Sequence, residues 1–547
     1  MKRAVPFAAV LLAITAGAAA LRLVDLDNRP MHWDEANQAL KFGRLLERGQ
    51  YEYDPEDHHG PSLNDLTLPI ARLASAEDLT QVTETHLRLL PAIFGILLVG
   101  LVWLLRDELG RPAAVWAAVL TAVSPAMVFY SRYYIQEMLL VCFTFGAMAA
   151  LWRCSRAKAA AEENEPRIRR WAWLVLLGLC IGMMHASKET CVIPLFAMGL
   201  AAVATIPGVR RMLTIRGLKE TMGVRGVLSV LVVLIAAAGV SALFFSSFFT
   251  HAQGVVDSVT AYSIYFDRAS GQGSAGWHDQ PWYHYFHLLF WWQRGDGPLW
   301  TEASIAVLAL VGLLAAALGK GMKPAAVPFA RFAAIYTLVM IAVYSAISYK
   351  TPWCALGFLH GMILLAGVGA AVLIGLSRGY VWKGITTALL IAAAGHLAWQ
   401  AHRASFEQYA DVNNPYVYAH TTEDVLRLVQ QIKEIAAVHP DAEAMHVQVI
   451  CPDYSFWPLP WYLRDMPRVE FSAEIPAGLP APLIIAPTQM EIAVMEYAFT
   501  RPPPGQRPLY NRLMTEDAGI WELSPGLYVT GYLQSDLLNA YLAQQPE

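Results

Sequence analysis

The sequence predicts a mainly α-helical, polytopic membrane protein that carries a C-terminal α/β domain outside the membrane. The 547 residues are 56% hydrophobic and only 15% charged, whereas soluble proteins are about a quarter charged. Apolar runs long enough to cross a bilayer recur along residues 1–400. Beyond residue 400 the apolar runs become short and alternate with an amphipathic helical pattern, which is typical of a soluble domain.

A membrane-spanning helix needs about 20 mostly apolar residues, and this criterion predicts about eleven spans. The first run follows Lys2 and Arg3 and also fits a cleaved signal peptide, but the many later spans favour a retained helix. The predicted spans are 4–23, 88–105, 113–130, 134–152, 171–186, 190–206, 226–249, 300–318, 332–348, 355–376 and 384–400.

The positive charges predict the orientation, because short loops rich in Lys and Arg remain in the cytoplasm. Every second predicted loop is short and basic, so the N-terminus is expected to be cytoplasmic. We therefore predict a transmembrane domain over 1–400, with outer loops at 24–87 and 250–299. An extracytoplasmic α/β domain follows over 401–547.

The tail begins with the segment TTEDVLRLVQQIKEIAAV, which has Val425, Leu428, Ile432 and Ile435 on one helical face. The short apolar runs MHVQVI and APLIIAP predict buried strands. The formal net charge of -4 and the lack of a basic tract argue against a nucleic-acid partner.

Asp34 and Glu35 are adjacent carboxylates just after the first apolar run. One interpretation makes Asp34 the N-cap of a helix that lies along the membrane, with Glu35 in the first turn and Gly49 at the end. A cap that faces a cleft can also serve as a base, so the structural and the catalytic interpretation both remain open.

Further polar or aromatic residues fall on the predicted outer side, and each also has an ordinary structural interpretation as a loop residue, snorkelling cation, ion pair or interfacial anchor. Arg132 and Glu137 would reach one cavity only if the helix breaks at Tyr133 or Tyr134. Because so many such residues share one side, a single outward-facing polar cavity is the simplest account. The candidates are His59, Arg132, Glu137, Lys188, Trp277, His278, Lys350 and Trp353.

These motifs resemble those of the GT-C-fold glycosyltransferases, specifically the protein O-mannosyltransferase group. The combination of YDPEDHHGP with YKTPW is similar to the subgroup named flippase activity-associated membrane proteins. The resemblance covers roughly residues 1–400. It rests on Asp34-Glu35, on His59-Gly60-Pro61-Ser62-Leu63 in place of His-Pro-Pro-Leu, on Ser124-Pro125, Tyr130-Ser131-Arg132 and Glu137 in place of Asp, and on Ser187-Lys188.

The resemblance implies an inverting transferase that moves a sugar from a polyprenyl-phosphate donor to an extracytoplasmic hydroxyl of a glycan, lipid or protein. Asp34 would be the general base of a catalytic Asp34-Glu35 pair. Arg132, Lys188 and Lys350 would bind the donor phosphate, and Trp277, His278 and Trp353 would contact substrate. His59 and Glu137 would hold a divalent cation (Mg, Mn or Zn) or orient the acceptor.

The alternative interpretation is a protein without transferase activity. The subgroup's name concerns association with a flippase, so a noncatalytic flippase-associated protein or a lipid-linked glycan transporter also fits. A transporter would favour internal repeats and broken midplane helices, which the sequence does not show. Membrane lipids and a flippase or glycan-assembly partner are the further expected partners.

Overall fold

The computed structural model describes residues 6–57, 59–160, 167–211, 223–269, 278–513 and 519–544. Long helices dominate the chain up to residue 402, and short helical turns occur at Arg106–Leu109 and Pro207–Arg211. The helices are α1 (Phe7–Leu23), α2 (Trp33–Arg48), α3 (Ser62–Leu73), α4 (Glu84–Leu101), α5 (Arg111–Val123), α6 (Pro125–Ser131), α7 (Glu137–Ala160), α8 (Arg167–Ser187), α9 (Val192–Thr205), α10 (Val224–Phe245), α11 (Gln253–Ala269), α12 (His284–Phe290), α13 (Ala303–Leu318), α14 (Val327–Ala346), α15 (Leu356–Leu376) and α16 (Gly379–His402).

The length and composition of the helices indicate an integral, multi-pass membrane protein. Among the described residues, seven helices are long and apolar enough to cross a bilayer, and the bent pair α5–α6 supplies an eighth. Three shorter apolar helices lie at Phe7–Leu23, Glu189–Thr205 and Ala303–Leu318. Each predicted span corresponds to one of these elements, but the predicted count of eleven spans is not confirmed.

A bend of 57° separates α5 from α6 at Ser124 and Pro125. Such a break exposes backbone groups that cannot be left unpaired in a membrane. Arg22 of α1 donates to the carbonyls of Thr121 (3.0 Å) and Ala122 (2.9 Å). On the other side of the break, Glu302 accepts from the hydroxyl of Ser124 (2.5 Å) and the amide of Ala126 (3.0 Å). Two buried charged residues therefore stabilise the bend.

Helices α13 and α15 pack closely because glycines meet backbone at the crossing. A Cβ atom at Gly312 would lie 2.0 Å from the carbonyl oxygen of Leu365, and one at Gly369 would lie 2.0 Å from that of Leu308. Gly375, on the same helix α15, has nothing within 4 Å of its Cβ position. Small residues at such crossings allow backbones in a membrane to approach.

The tail forms an α/β layer. The helices are α17 (Asp424–Val438), α18 (Glu491–Thr500) and α19 (Ser535–Leu542), with a turn at Leu459–Tyr462. The strands are β1 (Val447–Ile450), β2 (Val469–Ser472), β3 (Leu483–Pro487), β4 (Tyr510–Arg512), β5 (Ile520–Ser524) and β6 (Leu527–Gln534). The sheet order is β2-β1-β3-β6-β4, with β5 also paired to β6; β1 is parallel to β2 and β3, and β6 is antiparallel to its neighbours. The predicted amphipathic helix and both predicted strands are confirmed, whereas the division at residue 400 stays a prediction.

Polar contacts attach the tail to the chain between the end of α1 and the first turn of α4. The indole of Trp461 donates to Glu84 (2.8 Å), and Arg464 donates to the carbonyls of Leu79 (3.0 Å) and Val82 (2.8 Å). The amide of Met31 donates to the hydroxyl of Tyr462 (2.8 Å). The tail therefore lies against residues that lead into α2 and into α4.

Replacing Gly369 with Ala should destabilise the protein by about 1–3 kcal/mol, because the new methyl group overpacks the crossing of α13 and α15. Gly375→Ala is the matched control, and it should change stability by less than about 1 kcal/mol in the stabilising direction. Thermal unfolding of the purified protein in detergent measures both. Equal melting temperatures for the two variants would contradict the close crossing.

Candidate active site

Asp34 and Glu35 point in opposite directions from α2. Successive helical residues are about 100° apart, so one side chain enters the core when its neighbour faces out. Glu35 is fully buried, whereas the side chain of Asp34 is 50% exposed. The N-cap of α2 is His32 and not Asp34 as predicted; Asp34 and Glu35 occupy the first turn, and Gly49 ends the helix as predicted.

Glu35 is the centre of a buried polar network. Its carboxylate accepts from Arg88 at both oxygens (2.9 and 3.1 Å) and lies 2.8 Å from Arg29. The amides of His32 and Tyr134 also donate to it, each at 2.9 Å. Burial opposes ionisation, but the charges of Arg29 and Arg88 prevail and lower the pKa of Glu35 to about 2. Glu35 therefore connects the start of α2 to Arg88 of α4 and to the amide of Tyr134, and it does not line the cavity described next.

A cavity of about 680 Å³ brings together six of the ten predicted site residues: Asp34, His59, Glu137, Lys188, His278 and Trp353. Its volume lies within the range of about 300–1,000 Å³ that is usual for ligand pockets. Residues from separate segments of the chain contribute to its wall. The other lining residues used below are Gln38, Asp57, Gln136, Glu189 and Tyr349.

Most charged residues of the cavity are already paired. Lys188 contacts Glu137 in a buried ion pair. Glu189 accepts from Tyr53 (3.2 Å) and lies 3.0 Å from the ring of His59. Lys188 and Glu189 are adjacent in the chain, yet each pairs with a residue from another segment.

Asp57 and Asp34 are two further acids of the cavity wall. Asp57 pairs with Lys41 of α2 at 3.1 Å, and burial lowers the pKa of Lys41. Among the described residues, the one basic side chain with an atom within 4.0 Å of the Asp34 carboxylate is His32, whose Nδ1 lies 3.9 Å away. Asp34 is thus a half-exposed carboxylate in a cavity whose other charges are largely neutralised.

His32 fixes the backbone of Asp34. Its Nδ1 accepts from the amide of Asp34 (3.0 Å), so Nε2 carries the proton and donates to the carbonyl of Tyr418 (2.7 Å). The contact with a carbonyl in the tail therefore selects one neutral tautomer of His32. Tyr418, in the tail, thus helps to orient the start of α2.

The aromatic side of the cavity contains His278, Tyr349 and Trp353. Nδ1 of His278 lies 2.6 Å from the hydroxyl of Tyr418, and its ring centroid lies 4.4 Å from that of Tyr349. Burial lowers the pKa of His278, against the attraction of Asp34. Trp353 packs against His32 and Tyr418 with centroid distances of 5.8 Å each. Trp277, the other predicted aromatic contact, lies outside the described residues.

Arg132 does not line the cavity, contrary to the prediction. The expected break between α6 and α7 is present, but the guanidinium group turns to the end of α1. It donates to the carbonyls of Val24 (2.6 Å) and Asp25 (2.5 Å) and packs over the ring of Phe406 at 4.4 Å. The carbonyls at a helix end need donors, and Arg132 supplies them.

Lys350 likewise does not face the cavity. Its ammonium group donates to the carbonyls of Ile347 and Ser345 at the end of α14, and the residue is 1% exposed. A cation at a helix C-terminus is favoured by the helix dipole. The amide of Lys350 pairs with the carbonyl of His278 (2.9 Å), so the residue fixes the aromatic wall through its backbone.

Several helical segments begin at the cavity. The first turns of α2 and α7 contribute Asp34 and Glu137, and the 3₁₀ turns Glu189–Cys191 and Pro352–Ala355 precede α9 and α15. Helix N-termini present amide hydrogens and a positive dipole end, which attract anions. The cavity therefore combines a half-exposed acid with several groups able to stabilise negative charge.

The described residues do not form a three-ligand cation site: no three His, Cys, Asp or Glu side chains of this part of the chain come together. His59 and Glu137 both line the cavity, but each is paired with a different residue. The divalent cation stays a prediction from the resemblance, and no step below depends on it.

Sequence reasoning missed Gln38, Lys41, Gln136 and Tyr418. Gln38 follows Asp34 by one helical turn and Gln136 directly precedes Glu137, so helical spacing from the acids could have identified both. Tyr418 comes from the tail, and no local pattern connects it to Asp34.

Glu35→Gln should destabilise the protein by about 3–5 kcal/mol, because it leaves Arg29 and Arg88 buried without their counter-charge. Asp34→Asn is the adjacent control and should leave the melting temperature unchanged, since its side chain is half-exposed. Thermal unfolding in detergent compares the two. A similar loss in both variants would contradict the assignment of Glu35 as the buried partner.

The stability that Glu35 contributes should depend on pH, because its ion pairs require the ionised carboxylate. The pKa of Glu35 falls from 4.5 to about 2 on folding, so its contribution is complete above about pH 4.5 and is lost as the pH falls towards about 2. The difference in melting temperature between the wild type and Glu35→Gln should therefore stay constant above pH 4.5 and shrink below it. A difference that grows on acidification would contradict this sign.

A family model described as dolichyl-phosphate-mannose-protein mannosyltransferase matches residues 64–253. No curated protein matches the chain significantly in sequence.

Solved structures match nearly the whole chain. ArnT from Cupriavidus metallidurans, bound to undecaprenyl phosphate, superposes with a TM-score of 0.58 at 14% identity, covering 95% of this chain and 97% of ArnT. The oligosaccharyltransferase AglB from Archaeoglobus fulgidus, in complex with an inhibitory peptide and a dolichol-phosphate, gives a TM-score of 0.54 at 13% identity, covering 99% of this chain and 75% of AglB. The same archaeal enzyme in complex with Zn and sulfate gives 0.53 at 13% identity, covering 96% and 73%. The protein thus has the GT-C fold and resembles the protein O-mannosyltransferases.

Proposed function

We propose that the protein is a membrane glycosyltransferase that moves a sugar from a polyprenyl-phosphate donor to an acceptor hydroxyl on the extracytoplasmic side. The observation that carries the proposal is the half-exposed carboxylate of Asp34 in a cavity whose other charges are largely paired. The undecaprenyl phosphate of ArnT and the dolichol-phosphate of AglB support a lipid-phosphate donor. The outer location rests on the alternation of basic loops.

Lys188 is the residue we assign to the donor phosphate. It is the one ammonium group that lines the cavity within the described residues, and Glu137 holds it at the wall. The 3₁₀ turns 189–191 and 352–355 add amide hydrogens and positive dipole ends nearby. Charge-assisted hydrogen bonds of this kind are the strong ones for phosphate oxygens.

The transfer is a single displacement. Asp34 accepts the proton of the acceptor hydroxyl, and the oxygen attacks the anomeric carbon of the donor sugar. The bond from that carbon to the phosphate oxygen breaks, so the configuration inverts and the lipid phosphate leaves with the electron pair. Lys188 and the helix N-termini stabilise the charge that develops on the phosphate.

The wall formed by His278, Tyr349 and Trp353 would contact the sugar or the acceptor. Aromatic rings offer large, rigid apolar faces, and Tyr and His add a polar edge. Arg132 and Lys350 have no part in this mechanism, because both cap helix ends. Glu35 acts through α2, by fixing the helix that carries Asp34.

Asp34→Asn should lower kcat by about 10²- to 10⁴-fold, the contribution expected of a general base. The assay follows the release of lipid phosphate from a radiolabelled polyprenyl-phosphate sugar by the protein in liposomes. Glu52→Gln is the control, since Glu52 is an exposed acid of the same outer segment. Full activity of Asp34→Asn would remove Asp34 from the catalytic role.

The same assay separates the alternatives. Release of lipid phosphate by the wild type indicates a transferase. Movement of the intact donor across the liposome membrane without release indicates a transporter, and the absence of both indicates an accessory protein of a flippase. Either of the last two results would contradict the proposal.

Lys188→Met should raise the KM for the donor by about 10- to 100-fold, the value of a lost charge-assisted hydrogen bond. The substitution also leaves Glu137 buried without its cation, so stability should fall. The double variant Lys188→Met/Glu137→Gln removes both charges and should regain most of the melting temperature but not the KM. Recovery of the KM in the double variant would show that Lys188 serves the fold alone.

A further inference from the structure

Two buried glutamines in the cavity wall have side-chain amide atoms that take no part in the hydrogen bonds of the neighbouring ion pairs. Gln38 is 5% exposed and Gln136 is 1% exposed, and both line the cavity. Within the described part of the chain, Oε1 of Gln38 and Nε2 of Gln136 are buried without a hydrogen-bond partner.

Such groups are unusual, because more than about 90% of buried polar atoms in folded proteins have a partner. An amide that loses water without gaining a hydrogen bond costs free energy. A half-turn of the terminal amide exchanges its oxygen and nitrogen, so each glutamine can present either a donor or an acceptor to the cavity. A ligand with groups that both donate and accept would satisfy them.

Their placement relative to the two charged groups indicates which part of a ligand they would meet. Gln38 lies one turn after Asp34 on α2, and Gln136 directly precedes Glu137, the partner of Lys188. In a polyprenyl-phosphate sugar, the attacked anomeric carbon carries the phosphate, and the rest of the sugar ring extends from that carbon beside the line from the acceptor oxygen to the phosphate. A wall between Asp34 and Lys188 would therefore face the sugar ring.

We propose that Gln38 and Gln136 form the sugar subsite and bind hydroxyl groups of the transferred sugar. The inference rests on the proposed function, and it adds the residues that recognise the sugar as distinct from the phosphate. Neutral amides match hydroxyls, which donate and accept, whereas a phosphate is matched by the ammonium group of Lys188.

The test compares sugar-bearing with sugar-free lipid. The probes are undecaprenyl-phosphate mannose, undecaprenyl-phosphate glucose and undecaprenyl phosphate, and the measured quantity is the Kd for each with the purified protein in nanodiscs. The variants are Gln38→Met, Gln136→Met and the double variant, because Met keeps the length of Gln without the amide. Gln431→Met, at a buried glutamine of α17 outside the cavity wall, is the control.

The wild type should bind at least one sugar-bearing lipid about tenfold more tightly than undecaprenyl phosphate, the value of two ordinary hydrogen bonds. The double variant should lose this difference while its Kd for undecaprenyl phosphate and its melting temperature stay unchanged or improve. Gln431→Met should keep the difference between the lipids.

Four results would overturn the subsite: no preference of the wild type for either sugar-bearing lipid, a preference retained by the double variant, equal weakening for all three lipids, or a fall of several degrees in the melting temperature. The first three leave the proposed function intact if the wild type still binds undecaprenyl phosphate and releases it from a labelled donor. A wild type that binds none of the three lipids refutes the donor class itself, and the subsite with it.

Discussion

The buried carboxylate of Glu35 is the constraint on which the cavity depends. A charge without water must gather compensating groups, and Glu35 gathers Arg29, Arg88 and two backbone amides. These groups come from the approach to α2, from α4 and from the break after α6, so one side chain fixes three segments relative to each other. Because Glu35 must point inwards, the helical rotation of about 100° turns Asp34 towards the cavity.

The need to pair buried polar groups also explains why some buried cations do not line the cavity. A helix that stops inside or at the edge of a membrane leaves carbonyls that need donors. Arg22, Arg132 and Lys350 each donate to such carbonyls. These three cations are therefore paired with backbone carbonyls at helix ends, whereas Lys188, whose partner is the carboxylate of Glu137, lines the cavity.

Sequence reasoning was reliable where the spacing of apolar residues or the local composition determines which secondary structure forms. The spans, the tail helix with Val425 and Leu428, and the two predicted strands follow from apolar spacing. It failed where two residues of the same type differ only in direction. Lys188 and Lys350 both follow a predicted span, yet one lines the cavity and the other caps a helix, and only the partners available in three dimensions distinguish them.

The tail acts on the start of α2 as well as lying against the outer segments. The carbonyl of Tyr418 accepts from Nε2 of His32, so Nδ1 is able to accept from the amide of Asp34, and the hydroxyl of Tyr418 lies 2.6 Å from Nδ1 of His278. Loss of the contact with Tyr418 would remove the preference for the tautomer in which Nδ1 accepts from the amide of Asp34. The chain after residue 400 therefore supports two elements of the cavity, the start of α2 and His278, and the transmembrane helices alone would leave the position of Asp34 less firmly determined.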